Sequence, residues 1–466
     1  MRSDKPAKSW TDTSPKSPLW TRLVSRAVFP LHEKLKGHDS VARLHELERS
    51  QWWPVEELEA YRLARLKALL SHAGRHVPYY RALFRDIGFE PAAMNSIADL
   101  QGLPLLTKAL IRSHDLKSET AGPLKRYNTG GSSGEPLVFY MGLDRISHDV
   151  AAKWRATRWW RLDIGDPEIV VWGSPIEIGA QDRMRLLRDT LLRSRLVPAF
   201  EMSPAKLDGF IREIRAFRPR MIFGYPSALA HIARHAQASG QRLDDLGIRV
   251  AFVTSERLYD EQRAQISAGF GCAVANGYGG RDAGFIAHEC PYGGMHISAE
   301  DIIVEIVDAE GRELPAGESG EIVVTHLATG DFPFIRYRTG DVGVLDNEEC
   351  ECGRRLPMLK EIQGRTTDFV TAADGTVMHG LALVYIVRDL AGVAQFKIVQ
   401  ESLDLTRVLL VTGEGFNTQS IIAIEQGFKA RLGQGVRIVV ESVNEIPPEK
   451  SGKFRYVVSR VTPATV

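Results

Sequence analysis

The residues from Thr129 to Gly134 read TGGSSG, with three glycines and three hydroxyl side chains in six positions, and Glu135-Pro136 follows them. Glycine inside a helix or strand costs about 0.5–1 kcal/mol relative to alanine, so the run indicates a loop. It is either a flexible linker or a nest of N–H and hydroxyl groups for phosphates. The P-loop pattern fails, because no lysine follows the glycines at the required place. A strand predicted at residues 137–140 anchors the loop and favours phosphate binding.

Cysteine and histidine form the second group of residues whose types could carry chemistry. The four cysteines are at positions 272, 290, 350 and 352, and the chain has 13 histidines. Three thiolates and one imidazole make a closed tetrahedral ligand set for structural zinc. We therefore predict a Zn²⁺ site formed by Cys290, His296, Cys350 and Cys352. His288 is the competing nitrogen ligand, reduced unliganded thiols are the alternative, and Cys272 is expected to be a buried apolar side chain.

Length and composition limit the class of protein. The 466 residues are enough for two or three domains, and 44% hydrophobic with 25% charged residues is typical of a globular protein. A net charge of +1 gives the whole chain no attraction to nucleic acid. No apolar run approaches the roughly 20 residues that span a bilayer. We predict a cytoplasmic protein, in which structural disulfides are not expected.

The N-terminal segment divides into two parts. The first twenty residues are polar, rich in Ser, Pro and Lys, and lack the apolar region of a secretory signal. We predict a disordered tail over residues 1–25. The stretch LWTRLVSRAVF, which starts at Leu19, is basic and weakly amphipathic. We interpret it as a helix packed on the body, with membrane-surface contact as the alternative.

The centre of the chain alternates short apolar runs with helical patterns. Buried strands are predicted at residues 169–172, 221–223, 250–253 and 273–275. Helices are predicted from Ser203 to Phe217, over 227–237 and over 259–267. This β-α-β order predicts a mostly parallel sheet covered by helices.

Beyond residue 300 the pattern changes. Residues 302–307 and 321–325 predict antiparallel strands on either side of a Gly/Pro-rich turn. A separate small α+β unit follows, with strands predicted at 394–400, 407–411 and 436–442 and a helix at 420–432. We place an N-terminal domain at 26–364, a hinge at 365–371 and a C-terminal domain at 372–466.

Four further segments combine glycine with charged or aromatic residues. They are Tyr278-Gly279-Gly280-Arg281-Asp282, Tyr337-Arg338-Thr339-Gly340-Asp341, Gly364-Arg365-Thr366-Thr367-Asp368 and Pro447-Pro448-Glu449-Lys450-Ser451-Gly452-Lys453. With TGGSSG, their order and spacing resemble the core motifs of adenylate-forming enzymes: acyl-CoA synthetases, adenylation domains and luciferases. The segments HECPYGGMH, CECG and HVPYYR resemble the phenylacetate–CoA ligase subgroup. Within that subgroup the chain is most similar to relatives associated with capsular polysaccharide biosynthesis.

The resemblance implies a fold and an activity. The fold is α/β: a large N-terminal domain with mostly parallel, helix-covered sheets and a β-rich subdomain, and a small mobile α+β C-terminal lid. The activity is that of an AMP-forming acid–thiol ligase, which makes an acyl-adenylate from a carboxylic acid and Mg·ATP and passes the acyl group, by our prediction an aryl group, to CoA. The expected partners are the acid, ATP and CoA, with Mg²⁺ and structural Zn²⁺. No nucleic acid is expected, and a homodimer is left open.

The resemblance also implies ATP-binding residues. The β- and γ-phosphates would be surrounded by Thr129, Gly130, Gly131, Ser132, Ser133 and Gly134. Tyr278, beside Gly279, would stack on adenine, and the weaker match Ser255-Glu256 would lie along the nucleotide edge. Asp341 would accept hydrogen bonds from the ribose hydroxyls.

Three residues carry the implied catalytic roles. Asp282, where the family usually has glutamate, would hold Mg²⁺, since a shorter carboxylate still ligates a hard cation. Arg365 would support the nucleotide beside Asp341. Lys453 would bridge the carboxylate and the α-phosphate, placing positive charge where negative charge develops.

Two questions are left open at this stage. A set of aromatic residues either packs in the core, our default, or lines an acyl pocket: Trp154, Trp159, Trp160, Trp172, Phe223, Tyr225 and Pro226. The segment after the hinge departs from the glycine-rich path usual in the family. The acyl acceptor could therefore be an amine, a sugar hydroxyl or a carrier protein, and a non-catalytic nucleotide-binding scaffold is the second alternative.

Overall fold

A computed structural model of the chain describes residues 19–129, 137–172, 183–199, 201–308, 310–362, 369–446 and 457–461. Its strands are β1 Lys125–Asn128, β2 Val138–Met141, β3 Glu168–Trp172, β4 Ser194–Pro198, β5 Glu201–Met202, β6 Met221–Gly224, β7 Val250–Val253, β8 Ala273–Gly280, β9 Gly284–Glu289, β10 Met295–Ile297, β11 Ile302–Val307, β12 Ser319–His326, β13 Tyr337–Asp346, β14 Met358–Ile362, β15 Phe369–Thr371, β16 Val377–His379, β17 Val393–Ser402, β18 Leu405–Thr412, β19 Arg437–Ser442 and β20 Val457–Ser459.

The α-helices are α1 Leu19–Leu23, α2 Phe29–Leu35, α3 Ser40–Ser50, α4 Val55–His76, α5 Pro78–Ile87, α6 Lys108–Ser113, α7 Leu143–Trp159, α8 Arg183–Leu192, α9 Pro204–Phe217, α10 Pro226–Ala238, α11 Asp260–Phe270, α12 Leu381–Arg388 and α13 Thr418–Leu432. A π-helical turn, Val24–Val28, joins α1 to α2. No helix in the described ranges combines the length and hydropathy needed to cross a bilayer.

Eleven strands form one sheet, in the order β11-β12-β13-β14-β10-β9-β8-β7-β6-β3-β4. The half from β8 to β4 is parallel, which confirms the β-α-β prediction. The other half is antiparallel and contains the predicted pair β11 and β12. Strand β8 joins the two halves, because it pairs in parallel with β7 and antiparallel with β9.

The parallel half is buried by the helices around it. All four residues of β7 are buried, as expected for a strand with helices on both faces. Helix α9 turns Leu207, Ile211 and Ile214 into the same core, at the spacing of one helical face. The carboxyl ends of these strands therefore emerge together at one edge of a rigid core, where α/β proteins bind ligands.

The C-terminal unit has its own four-stranded sheet and its own core. The sheet order is β19-β18-β17-β20, and β17 pairs with β18 as predicted. Strand β15, residues 369–371, falls inside the predicted hinge 365–371, so this part of the prediction is wrong. It pairs with β16, and the Thr371 N–H donates to Gln400 Oε1 at 3.0 Å. These residues belong to the C-terminal unit, and residues 363–368 lie outside the described ranges.

The predicted tail over residues 1–25 is too long, because helix α1 begins at Leu19. The Thr21 hydroxyl donates to Asp166 Oδ1 at 3.1 Å, and Val24 is fully buried. These contacts fix the helix on the body of the protein, in agreement with the prediction for LWTRLVSRAVF.

Candidate active site and metal centre

An open cleft lies at the carboxyl end of the parallel strands. Residues from the loop after β7, from the end of β8 and from the middle of β13 line it. Five predicted site residues are brought together there: Ser255, Glu256, Tyr278, Gly279 and Asp341. These residues lie far apart in the sequence, so the parallel strand order is what assembles them.

Asp341 projects from a bulge in β13. The pairing with β12 shifts register on either side of Ile322, and Gly340 takes a φ of 79°, which favours glycine. The Thr339 hydroxyl donates to the Ile322 carbonyl at 2.8 Å and accepts from the Asp341 N–H at 3.1 Å. Tyr278 then donates its hydroxyl to Asp341 Oδ2 at 3.1 Å. The bulge thus fixes an acidic group beside an aromatic ring in the cleft.

The loop after β7 supplies Ser255 and Glu256. Ser255 has a φ of 71°, a conformation that is uncommon outside glycine and that clusters at functional sites. Glu256 Oε2 accepts hydrogen bonds from the Ser227 backbone N–H at 3.4 Å and from the Ser227 hydroxyl. Ser227 is in the first turn of α10, so the Glu256 carboxylate stabilises the positive end of that helix. Glu256 lines the cleft beside Ser255, and its carboxylate is hydrogen-bonded to Ser227 of α10.

The turn between β8 and β9 carries Asp282, which is not among the residues that line the cleft. Asp282 Oδ2 accepts from the Tyr337 hydroxyl at 2.6 Å, and Oδ1 accepts from the Ala283 N–H at 3.2 Å. Gly279 permits this tight hairpin, since a Cβ there would lie 2.2 Å from the Gly284 carbonyl oxygen. Each carboxylate oxygen keeps a second lone pair, so the side chain fits a Mg²⁺ that also binds substrate phosphates.

The base of the TGGSSG loop is tied to that turn. Thr129 and Leu137 close the loop: the Thr129 N–H donates to the Leu137 carbonyl at 3.0 Å, and the Leu137 N–H to Thr129 Oγ1 at 2.9 Å. Arg281 Nη1 donates to the Asn128 carbonyl at 3.3 Å. The remaining predicted residues lie outside the described residues: Gly130, Gly131, Ser132, Ser133, Gly134, Arg365 and Lys453.

The predicted aromatic group separates into two sets. Trp154, Trp159 and Trp160 are buried in the core, as the default interpretation holds. The Trp172 ring stacks on two others: its centroid lies 4.4 Å from that of Tyr225 and 5.8 Å from that of Phe223. This second set lies at the carboxyl ends of β3 and β6, the same edge of the sheet as the cleft.

Several residues at the site were not predicted. The other cleft-lining residues are Arg257, Leu258, Asn276, Gly277 and Ile362. The first four lie within two residues of predicted residues in sequence, a signal that could have found them, whereas Ile362 at the end of β14 has none. Arg145 was also missed: its Nη1 donates to the Asp282 carbonyl at 3.5 Å, and Asp149 accepts from its Nε at 3.1 Å.

The predicted zinc ligands come together between β9 and β14. Cys290 Sγ lies 3.6 Å from Cys350 Sγ, and His296 Nε2 lies 3.1 Å from Cys352 Sγ. All four ligand atoms lie within 4.8 Å of one another. A tetrahedral zinc with Zn–S bonds of about 2.3 Å sets sulfur–sulfur distances of about 3.8 Å, so the cluster fits Zn²⁺.

The structure also selects the nitrogen ligand. His296 Nδ1 faces the Leu356 carbonyl at 3.4 Å, an arrangement that leaves Nε2 to the metal. His288 stacks on Phe285 at 5.4 Å instead and is not part of the cluster. Four protein ligands leave no open position, so a zinc here would hold the β9–β10 turn to the β13–β14 loop without taking part in chemistry.

We predict one zinc per chain at this cluster, measurable by inductively coupled plasma mass spectrometry. Cys352→Ser should lose the metal and lower the free energy of unfolding by at least about 2 kcal/mol, because metal binding contributes to folding. Cys272→Ser is the matched control, since Cys272 is buried in a different core and should keep the metal. Zinc-free wild-type protein with unchanged thermal stability would contradict the prediction.

A second group of metal-type side chains is not a metal site. His148, Asp149 and His326 also lie within 4.8 Å of one another. However, His326 Nδ1 accepts the Ala328 N–H at 3.2 Å, so in the neutral ring the proton is on Nε2, the atom that would face the metal. Burial, and then the positive charge of Arg145, hold the pKa of His326 well below its usual range. The group is a buried polar network behind the Asp282 turn.

The comparisons with known proteins decide the family. Residues 129–329 match the family described as AMP-binding enzyme, and residues 370–460 match the CapK C-terminal domain. The two matches, together with the relatives below, support the assignment of the chain to the adenylate-forming enzymes. The two matches lie in the two parts of the chain, and with the phenylacetate-coenzyme A ligase relatives they support an AMP-forming acid ligase.

Individual relatives place this adenylate-forming enzyme more closely. Protein CapK of Staphylococcus aureus is 25% identical over 372 residues, 78% of this chain and 81% of that protein. The phenylacetate-coenzyme A ligase of Thermus thermophilus is 28% identical over 339 residues, 68% of this chain and 72% of that protein. Among solved structures, a 2-hydroxyisobutyryl-CoA ligase has a TM-score of 0.64 at 22% identity and covers 88% of this chain and 91% of its own. That likeness confirms the predicted fold.

Proposed function

We propose that this adenylate-forming enzyme activates a carboxylic acid with Mg·ATP and transfers the acyl group to the thiol of CoA. The observation that carries the proposal is the cleft itself, where Tyr278, Asp341 and the Ser255 loop meet at the carboxyl edge of the parallel sheet. The Tyr278 ring, the Asp341 carboxylate and the backbone of the Ser255 loop match the adenine, the ribose and the edge of the nucleotide in ATP, respectively. A cytoplasmic location follows from this proposal, since ATP and CoA are available there.

The first half-reaction requires an oxygen of the carboxylate to attack the α-phosphorus while pyrophosphate leaves. Asp341 would hold the ribose through its carboxylate and so fix the α-phosphate in line. The loop that starts at Thr129 would surround the leaving phosphates with N–H donors. Asp282 would help to hold a Mg²⁺, which would supply positive charge to those phosphates. Lys453 would place its ammonium group between the two reacting groups.

The acyl group is proposed to be planar. Trp172, Tyr225 and Phe223 form a stacked aromatic wall at the carboxyl ends of β3 and β6, the edge of the sheet where the cleft opens, and the Trp172–Tyr225 rings are only 24° from parallel. Such a wall favours a flat apolar group over a branched chain, because aromatic rings pack well face to face with an offset. An aryl carboxylic acid is therefore the first substrate class to test.

The second candidate function differs in the acceptor. Residues 370–460 match the CapK C-terminal domain, and this unit would close over the acyl-adenylate. An amine, a sugar hydroxyl or a carrier protein is then the alternative acceptor, with adenylation unchanged.

One experiment separates the candidates. Purified enzyme is incubated with ATP, Mg²⁺ and a panel of aryl and aliphatic acids, with pyrophosphate release as readout, and the products are identified by mass spectrometry with and without CoA. Acyl-CoA formed from an aryl acid is the expected result. Acyl-adenylate that accumulates in the presence of CoA would move the assignment to the second candidate, and absence of pyrophosphate release with every acid would contradict both.

A further inference from the structure

The N-terminal helical segment, residues 19–35, has a π turn that aligns its leucines. The turn Val24–Val28 ends two residues before Pro30, which has no N–H to continue the α-helical ladder. A π turn advances by roughly 80° per residue in place of the α-helical 100°. By this geometry Leu19, Leu23, Leu31 and Leu35 fall within about 70° of one another around the helix axis, where a regular helix would spread them over about 160°.

This leucine stripe is exposed. Leu19 is 84% exposed, Leu31 58% and Leu35 79%, while Thr21, Val24 and Phe29 on the opposite side are buried. Five of the thirteen large apolar side chains that are exposed in the described residues belong to this short segment: Leu19, Trp20, Leu23, Leu31 and Leu35. The segment therefore has one face that packs on the protein and a second, apolar face that is exposed to solvent.

The charges beside the stripe have one sign. The exposed cations are Arg22, Arg26, Lys34 and Lys36. The one acidic residue in this range, Glu33, is 3% exposed and points inward, where its Oε2 accepts from the Ser40 hydroxyl at 2.7 Å and lies 2.9 Å from His38 Nδ1. An accessible apolar stripe with a purely basic flank is thus built on a chain whose net charge is only +1.

The neighbouring helix enlarges this face. Trp20 Nε1 donates to the Leu191 carbonyl at 3.3 Å, and Leu191 is itself 38% exposed. Loss of solvation first, and then the positive charges of Arg188 and Lys125, lower the pKa of Lys36, so further cations lie beyond the helix. The face combines parts of three segments of the chain and is anchored at both ends.

We propose that this face, the leucine stripe with its basic flank, docks the enzyme on an anionic phospholipid surface. Helices that lie in a membrane interface bury leucine and tryptophan among the acyl chains while lysine and arginine contact the headgroups. The opposed charge of the headgroups selects this occupant. A second copy of the chain would bring two basic flanks together in a two-fold contact. Residues 1–18 carry four basic and two acidic residues, so they add to the positive charge.

Vesicle co-sedimentation of the full chain tests the proposal. The vesicles contain phosphatidylcholine alone or equal parts of phosphatidylcholine and phosphatidylglycerol, at low and high salt. Wild-type enzyme should sediment with the anionic vesicles and be released by salt. Lys34→Gln with Lys36→Gln should weaken binding by about 30-fold, at roughly fivefold per cation near the surface. Leu31→Ser with Leu35→Ser should weaken it by at least about tenfold.

Matched variants show whether the effect belongs to this face. Leu403→Ser with Ile422→Ser removes two exposed apolar side chains elsewhere, and Lys206→Gln with Lys360→Gln removes two exposed cations elsewhere. Both controls should bind as wild type, and all variants should keep wild-type thermal stability. The proposal would be overturned if wild-type protein does not bind anionic vesicles, or if the control variants lose as much binding as the variants of the leucine stripe and its basic flank. A wild-type dimer that Leu31→Ser with Leu35→Ser converts to monomer, without vesicle binding, would assign the face to self-association instead.

Discussion

Lys453→Ala is expected to reduce carboxylate-dependent ATP–pyrophosphate exchange by roughly 10²–10³-fold, the loss that follows removal of one group that stabilises developing charge. The reacting carboxylate and the α-phosphate are both anionic, and their approach has to be compensated by a cation. The measurement is isotope exchange between labelled pyrophosphate and ATP at saturating acid, with kcat and KM for ATP determined separately. The loss should fall mainly on kcat, because the contact is strongest in the transition state.

Lys450→Ala is the matched control, since this lysine lies three residues earlier in the same PPEKSGK segment. Its exchange rate should remain within about twofold of wild type, as expected for a lysine without a role in the proposed chemistry. If Lys453→Ala retains exchange, or if both variants lose the same activity, the proposed role of Lys453 is wrong. The comparison removes net charge equally from both variants, so a general electrostatic effect cannot produce the difference.

The family resemblance was sufficient to predict that Ser255, Tyr278 and Asp341 lie close together. Ser255 follows a short apolar run, and Tyr278 follows another, so both had to emerge at the carboxyl edge of a parallel sheet. Gly340 in the YRTGD segment takes a positive φ before Asp341, a conformation that favours glycine at this position. These features are local, because each depends on a strand end or a turn that a few neighbouring residues specify.

Contacts between residues far apart in the chain could not be predicted from the sequence. The Glu256 carboxylate was expected at a nucleotide, yet it bonds Ser227, and nothing within a few residues of either one indicates that contact. Likewise, two separate β regions were predicted where the structure has one sheet, because the register of β8 against β9 is set by tertiary packing. The choice of His296 over His288 depended in the same way on where β9, β10 and β14 bring the cysteines.

Asp341→Ala is expected to lower kcat/KM for ATP by about 100-fold. Hydrogen bonds to a charged group contribute about 1.5–3 kcal/mol each, and the carboxylate would accept from the ribose hydroxyls. The Tyr278 hydroxyl, which donates to Asp341 Oδ2 at 3.1 Å, would lose its partner in the same variant. Tyr278→Phe separates the two effects, because it removes that hydroxyl and keeps the ring. Its loss should be less than about tenfold.

The nucleotide sugar provides the decisive comparison for Asp341. Wild-type enzyme should prefer ATP over 2′-deoxy-ATP, since a site built to bond a hydroxyl rejects the analogue that lacks it. Asp341→Ala should use both nucleotides about equally poorly, whereas Tyr278→Phe should keep the preference. If Asp341→Ala retains the wild-type preference, the carboxylate does not contact the ribose, and its role is limited to orienting Tyr278. The bulge at Gly340 would then help to orient the Tyr278 ring and would have no direct role in binding the nucleotide.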